Sequence, residues 1–144
     1  MDINRDLALR IWDDVYGSSQ EYVLDCYGTY ICRSDYGDHE KMRQRPDGKT
    51  YSYGWDLDHI RPRSDFAKPE DADFLNNLEP VHWVNNHDKA DANGAFTIDG
   101  RSYHIVRCEI CKAHSERGYG IVDDSTGKRV DWKGVSNRYY QTVK

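Results

Sequence analysis

The sequence predicts an α+β fold in a single domain that spans residues 1–144. Three features predict it: an amphipathic helix near the N-terminus, a strand–loop–strand–helix pattern at about residues 51–93, and β-hairpin patterns after it. At 144 residues with 38% hydrophobic side chains, the chain is long enough for one compact core.

The N-terminal segment predicts an amphipathic helix over residues 3–15. Apolar side chains recur there at a spacing of four, at Ile3, Leu7, Ile11 and Val15. Asp2 is expected to cap the start of this helix and Gly17 to end it.

The next segments carry weaker patterns. Residues 21–31 are expected to form a short helix. Residues 33–50 are rich in Asp, Gly, Arg and Lys, which predicts a long loop or an irregular hairpin. The Pro46-Asp47-Gly48 tripeptide is typical of a turn within that stretch.

The central segment predicts two strands and a helix. Residues 51–60 alternate as in a strand that Pro62 ends, and residues 78–81 are a short apolar strand that contains a proline. Residues 82–92 suit a helix that stops at Asn93-Gly94.

Two hairpins are expected after this segment. The first spans residues 96–106, with its turn at Asp99-Gly100. The second spans residues 119–132, with its turn near residues 125–127. These hairpins complete the predicted α+β architecture.

Charge is distributed unevenly along this acidic chain, whose formal net charge is −5. Residues 1–100 carry 11 Lys/Arg and 20 Asp/Glu, and residues 101–144 carry 9 and 5. The overall charge disfavours a nucleic-acid partner, whereas a basic C-terminal third could follow phosphates while the acidic part holds a cation.

No apolar run approaches the ~20 residues of a membrane span, so no membrane partner is expected. The first residues lack the pattern of a signal peptide, so we expect a cytoplasmic location. In that compartment, cysteines are expected to be free thiols or metal ligands rather than disulfides.

Three short polar clusters could supply phosphodiester chemistry: Asp58-His59, Asn76-Asn77 and the segment 85–89. That reaction requires a base that activates water and a cation that offsets charge on phosphorus and the leaving oxygen. The imidazole of His59 can act as the base, since imidazole titrates near neutral pH. Asp58 and Asn86 offer the hard oxygen ligands that Mg²⁺ prefers.

Two stretches of this segment resemble the HNH nucleases: WDLDHIRPRS at residues 55–64 and NNLEPVHWVNNHDKAD at residues 76–91. Asn86 lies nine residues after Asn77, and Lys89 lies three residues further, as in the HNH domains of CRISPR effectors. The loop after Asp58-His59 departs from that family because it is longer and lacks a Gly-Gly pair.

The resemblance implies a ββα-metal core at about residues 51–93 and a role for each motif residue. His59 is then the general base, and Asp58 and Asn86 hold Mg²⁺ or Mn²⁺. Asn77 fixes the loop and orients His59, and it counts with His59 among the catalytic residues. Asn85 and His87 flank Asn86, so a ligand displaced by one residue remains an alternative.

Four further residues are candidates for contact with nucleic acid. Lys89 is expected to meet a phosphate or to buttress the helix. Arg61 and Arg63 are expected either to bind phosphates or to be solvated charges. His82 could contact the substrate, or it could serve in packing or capping.

The four cysteines suggest a second, structural metal site. Cys108 and Cys111 have zinc-knuckle spacing, and Cys26 and Cys32 form a looser pair. Together they could bind one Zn²⁺, although four reduced thiols are the default expectation.

These observations predict a metal-dependent endonuclease that hydrolyses phosphodiester bonds in DNA. Three alternatives remain open: a ribonuclease or toxin that uses the same site, an HNH-like module that binds nucleic acid without cutting, and a structural protein whose fold is stabilised by a zinc ion. The sequence leaves the recognition site and the oligomeric state undetermined.

Overall fold

The structure is a computed structural model that describes residues 2–107 and 118–131. These residues form an α+β fold with two α-helices and small antiparallel sheets, as predicted. In this part of the chain, neither helix combines the length and apolar character needed to cross a bilayer.

Helix α1 spans Arg5–Tyr16 and confirms the predicted N-terminal helix. Its N-cap is Asn4 rather than the predicted Asp2, because the Asn4 side chain accepts a hydrogen bond from a backbone N–H of the first turn. Gly17 ends the helix as predicted, in a positive-φ conformation that glycine adopts without strain (φ 94°).

Residues 21–31 form a hairpin, so the predicted short helix is wrong. Strand β1 (Tyr22–Leu24) pairs with strand β2 (Tyr30–Cys32). The turn between them is held by the carboxylate of Asp25, which accepts two backbone N–H bonds at 3.0 and 2.9 Å. Local turn chemistry therefore prevails over the weak helical pattern.

A second hairpin follows, formed by strands β3 (Met42–Gln44) and β4 (Thr50–Ser52). It confirms the hairpin alternative for residues 33–50, and its turn contains the predicted Pro46-Asp47-Gly48. Gly48 adopts φ 83° there, a conformation suited to glycine.

A strand–strand–helix unit occupies the centre of the chain. Strand β5 (Trp55–His59) pairs antiparallel with strand β6 (Leu78–His82), and helix α2 (Trp83–Lys89) follows directly. In this register Asp58 faces Glu79 on the neighbouring strand. The predicted element types and their order are confirmed.

The bounds of this unit differ from those expected. The predicted strand over residues 51–60 is divided between β4 and β5 at Tyr53-Gly54. Helix α2 ends at Lys89, where its C-cap Ala90 has φ 50°, so it is shorter than the predicted helix over residues 82–92. Pro80 is accommodated within β6, where its missing N–H costs little because the sheet has only two strands.

Four strands form a separate antiparallel sheet in the order β10-β9-β8-β7. Their bounds are Ala95–Ile98, Arg101–Arg107, Tyr119–Asp123 and Lys128–Arg129 for β7 to β10. Both predicted hairpins are confirmed within the described residues. Asp99 (φ 50°) and Gly100 (φ 78°) form the first turn.

Two hydrophobic cores meet at the end of β5. Helix α1 packs against β5 and β6 in the first core, where the rings of Trp12 and Trp55 lie 5.0 Å apart. The four-stranded sheet forms the second core, which Ile60 enters from the end of β5. Leu57 belongs to the first core, so Asp58 and His59 lie between the two.

Gly54 has no room for a side chain. A Cβ atom there would lie 2.1 Å from the carbonyl oxygen of Asp38. We expect Gly54→Ala to lower the free energy of unfolding by about 1–3 kcal/mol, because the backbone must shift to accept the methyl group. Urea denaturation measures the change.

The matched control is Gly94→Ala, since nothing lies within 4 Å of a Cβ at Gly94. Its unfolding free energy should stay within about 0.5 kcal/mol of the parent value. Equal stability of the two variants would contradict the close approach at Gly54.

Candidate functional site

Asp58 and Lys89 form a buried ion pair between β5 and α2. Their residue exposures are 4% and 2%. The Nζ atom of Lys89 lies 3.2 Å from Oδ2 and 3.4 Å from Oδ1 of Asp58, and it also donates to the carbonyl of His59 at 3.0 Å. This one ammonium group therefore fastens the end of α2 to the end of β5.

The carboxyl group of Asp58 lies in an unusual electrostatic environment. Burial raises its pKa above the ordinary value, while the charges of Lys89 and then His59 act in the lowering direction. Its Oδ2 atom is buried and makes no hydrogen bond with the described residues, despite the nearby ammonium. The Lys89 ammonium is therefore the neighbouring cation of this oxygen, and a metal ion at Asp58 would have to share the carboxylate with it.

Asn86 lies on α2 one turn before Lys89. Residues three apart on a helix share a face, so Asn86 is on the side of α2 that carries Lys89. Its side chain is half-buried. The neighbouring Asn85 is buried and donates to Asp25 at 3.0 Å and to Thr29 at 2.9 Å. These bonds use the amide hydrogens of Asn85 and leave its Oδ1 atom out, so the alternative ligand one residue before Asn86 remains open.

His59 is held by a carboxylate that the sequence prediction did not include. Its Nε2 atom lies 2.7 Å from Oδ1 of Asp73, and both side chains are largely buried. Within the described residues, the His59 ring forms a hydrogen bond through Nε2 alone. Since the carboxylate accepts a hydrogen bond, the neutral ring carries its proton on Nε2 and leaves the Nδ1 lone pair available.

Asn77 is fully buried and holds the loop after β5 in place. Its Oδ1 accepts from the backbone N–H of Arg61 at 2.8 Å, and its Nδ2 donates to the carbonyls of Arg61 and Ala72 at 3.0 Å each. The position matches the predicted loop-fixing role. Asn77 acts on His59 only through the backbone, because these bonds occupy its amide and none reaches the His59 ring.

Two of the residues predicted to contact nucleic acid have internal partners instead. Lys89 is buried on Asp58, so the buttressing alternative fits it better than a phosphate contact. His82 caps α2: its Nδ1 accepts from the N–H of Val84 at 3.1 Å, and its Nε2 lies 2.8 Å from the carbonyl of Ser52. With both ring nitrogens engaged, the capping alternative fits His82.

The two predicted arginines differ in their availability. Arg61 pairs with Asp65 and donates to the hydroxyl of Tyr119 at 2.7 Å, so it joins the loop after β5 to the second sheet. Arg63 is 52% exposed, and its Nε atom lies 3.6 Å from Oδ1 of Asp73. Arg63 is therefore the predicted cation that remains accessible beside His59.

The zinc prediction is only partly covered by the structure. Cys108 and Cys111 lie outside the described residues. Cys26 and Cys32 are free thiols, and burial raises the pKa of both, which favours the protonated form. Cys32 Sγ lies 3.3 Å from a carboxylate oxygen of Glu21, its hydrogen-bond acceptor.

Within residues 2–107 and 118–131, no three His, Cys, Asp or Glu side chains converge as a metal site. Any cation at Asp58 would therefore depend on Asn86, water and substrate oxygens for its other ligands. No family model, curated protein or solved structure matches this chain. The HNH resemblance thus rests on the short motifs at residues 55–64 and 76–91 alone.

Asp73 is the functional candidate that sequence reasoning missed. It lies 14 residues after His59, in a loop that also contains Pro69, Glu70 and Asp71. The acidic residues of this loop follow no regular spacing that would single out Asp73. The only signal was the acidic cluster at residues 70–73. Short 3₁₀ turns at Pro69–Ala72 and Leu75–Asn77 bring this loop back to β5.

The Asp58–Lys89 pair yields a stability prediction. We expect Lys89→Met to lower the free energy of unfolding at pH 7 by about 3–5 kcal/mol, because it leaves a buried carboxylate without its partner. The double variant Lys89→Met/Asp58→Asn should regain most of the loss. Urea denaturation of the four proteins in this double-mutant cycle measures the coupling.

The stability loss of the Lys89→Met variant depends on pH in a defined direction. Without Lys89, the folded-state pKa of Asp58 rises further above the unfolded value of about 3.9. The native state then binds more protons than the unfolded state. The destabilisation caused by Lys89→Met is therefore greatest above the folded-state pKa of Asp58, and it decreases as the pH falls toward the unfolded-state pKa. A loss that does not depend on pH, or that the second substitution fails to relieve, would contradict the pairing.

Proposed function

We propose that this protein is a metal-dependent HNH-type endonuclease that hydrolyses phosphodiester bonds in DNA. One observation carries the proposal: at the end of β5, the buried carboxylate of Asp58, which pairs with the Lys89 ammonium, adjoins a histidine whose ring is held through Nε2 by Asp73. The motif resemblance at residues 55–64 and 76–91 supplies the reaction class.

In the proposed mechanism, His59 is the general base. The Nδ1 lone pair accepts a proton from the attacking water as its oxygen approaches phosphorus. Asp73 is a positioning residue: it holds the ring through Nε2 and stabilises the imidazolium that forms. Asn77 keeps the loop that carries Asp73 against the end of β5.

Asp58 and Asn86 are the residues that would hold Mg²⁺ or Mn²⁺. When bound, such an ion supplies positive charge beside the phosphoryl and leaving oxygens. Lys89 neutralises part of the charge of Asp58 and keeps its carboxylate close to the backbone of His59. Arg63, which is exposed beside Asp73, is positioned to contact a substrate phosphate.

A second candidate is a module that binds nucleic acid without cleaving it. The Asp58–Lys89 pair favours this alternative, because the carboxylate already has an internal cation. The two functions differ in whether any divalent metal supports cleavage.

Nicking of supercoiled plasmid tests the proposed chemistry. We expect Mg²⁺-dependent nicking that chelator abolishes, and a rate about 10²- to 10⁴-fold lower for His59→Gly because the base is missing. Added imidazole should restore part of that rate by occupying the space left by the ring. Single-stranded RNA in a parallel reaction tests the ribonuclease alternative.

The stability control for this experiment is a circular dichroism melt of His59→Gly. A folded variant that nicks at the parent rate would exclude His59 as the base. Binding of DNA without cleavage in Mg²⁺ or Mn²⁺ would favour the non-cleaving module.

The role of Asp73 can be separated from that of its neighbour Arg63. Asp73→Asn should lower kcat up to about 100-fold with little change in KM, because the ring loses its anionic partner while the loop keeps its shape. Arg63→Gln should mainly raise KM, because it removes an exposed cation. Steady-state nicking rates separate kcat from KM. If the two variants changed kcat and KM in the same way, this division of roles would be contradicted.

A further inference from the structure

Arg45 is a cation held by aromatic rings instead of by carboxylates. Its guanidinium carbon lies 3.8 Å from the centre of the Tyr51 ring, 5.5 Å from that of Tyr53 and 5.6 Å from that of Tyr30. Its Nε atom is buried and makes no hydrogen bond with the described residues. The guanidinium is thus desolvated on one face and stacked in a fixed orientation.

Arg45 differs from the neighbouring Arg43 in its ion pairing. Arg43, on the same hairpin, donates two hydrogen bonds of 2.7 Å to the carboxylate of Asp35. Arg45 forms no ion pair within the described part of the chain. Its positive charge therefore remains available to an anion, and the planar guanidinium matches the geometry of a phosphate.

Arg45 lines a cleft of about 910 Å³ between the β3–β4 hairpin, the start of α2 and the β7–β8 turn. Its walls are rich in rings, among them Tyr27, Tyr51, Trp83 and Tyr103. The ring of His39 stacks on Trp83, with centroids 4.9 Å apart and planes 8° apart. The volume lies within the range of about 300–1,000 Å³ that small ligands occupy.

We infer that this cleft binds an unstacked nucleotide of single-stranded DNA, with its base against the rings and its phosphate on Arg45. The inference rests on the proposed function and names the form of its substrate. Bases of a duplex are stacked on each other and lie out of reach of a cleft, whereas a single strand can offer a base face to tyrosine or tryptophan.

The carboxylates of the cleft define the orientation of the nucleotide. Asp88 and Asp99 also line it. They would repel a phosphate but can accept hydrogen bonds from the amino groups of a base. The other arginine of the cleft, Arg101, pairs with Asp123, so the phosphate belongs at Arg45, on the hairpin side.

The cleft is also well placed relative to His59. Trp83 lines it at the first residue of α2, and Lys89 reaches His59 from the last. A helix of 7 residues is about 10 Å long. An oligonucleotide that reaches from Trp83 to His59 therefore spans about the length of this helix.

Binding of a labelled single-stranded DNA of mixed sequence tests the inference, measured by fluorescence anisotropy with chelator present so that nothing is cut. We expect Arg45→Gln to weaken binding about tenfold. The matched control is Lys49→Gln, which removes an exposed charge from the same hairpin and should weaken binding less than about twofold. Equal losses of affinity in Arg45→Gln and Lys49→Gln would show a general charge effect and overturn the assignment of the phosphate to Arg45.

A second readout does not depend on the Arg45 variant being stable. Single-stranded DNA should quench part of the tryptophan fluorescence of the parent protein, and Trp83→Phe should abolish that part. Quenching that persists unchanged in Trp83→Phe would overturn a base position against Trp83.

Duplex DNA and RNA of the same sequence complete the test. The loss of affinity caused by Arg45→Gln should be absent with the blunt duplex. An equal loss of affinity for the duplex overturns the preference for single strands. Tighter Arg45-dependent binding of RNA than of DNA overturns the choice of DNA. Absence of any binding by the parent protein overturns the inference as a whole.

These outcomes are separate from those of the nicking assay. Arg45-dependent binding without cleavage in any divalent metal supports the cleft and rejects the endonuclease. Cleavage that requires His59 while binding is indifferent to Arg45 supports the endonuclease and rejects the cleft.

Discussion

The buried pair between Asp58 and Lys89 is the interaction on which the rest of the site depends. It joins the last turn of α2 to the last residues of β5, and the same ammonium also binds the carbonyl of His59. A charge pair removed from water is stable only when both partners remain in place. The strand end, the helix and the main chain at the histidine therefore hold one arrangement.

The loop between β5 and β6 is built around this arrangement. Asn77, at the end of the loop, bonds to Arg61 at its start and to Ala72 in its middle, and the loop then presents Asp73 to the ring of His59. Because Leu57 and Ile60 are anchored in different cores, the two residues between them have little freedom to move. A rigid support of this kind is what a general base requires.

The proposed nuclease site lies at the C-terminal end of α2, and the ring-lined cleft runs along the same helix from Trp83 to Asp88. Both require cationic groups in a chain that is acidic overall. Most described arginines near the site are neutralised by carboxylates, as Arg61 is by Asp65. Arg45 is the exception, because it stacks on Tyr51, and Arg63 pairs with Asp73 but keeps half of its side chain exposed. Local placement of charge, rather than net charge, governs the proposed partner.

The sequence by itself determined the α+β class, helix α1, both C-terminal hairpins and the order of strands and helix around Asp58 and His59, because periodicity and turn residues act over a few neighbours. It misjudged residues 21–31, where Asp25 organises a turn. Only the tertiary structure decided that Lys89 is buried, that His82 is a cap and that Asp73 holds His59. The burial of Lys89 and the Asp73–His59 bond depend on contacts between distant segments, for which the residue types carry no local signal, and the His82 cap, which is local, is completed by the distant carbonyl of Ser52.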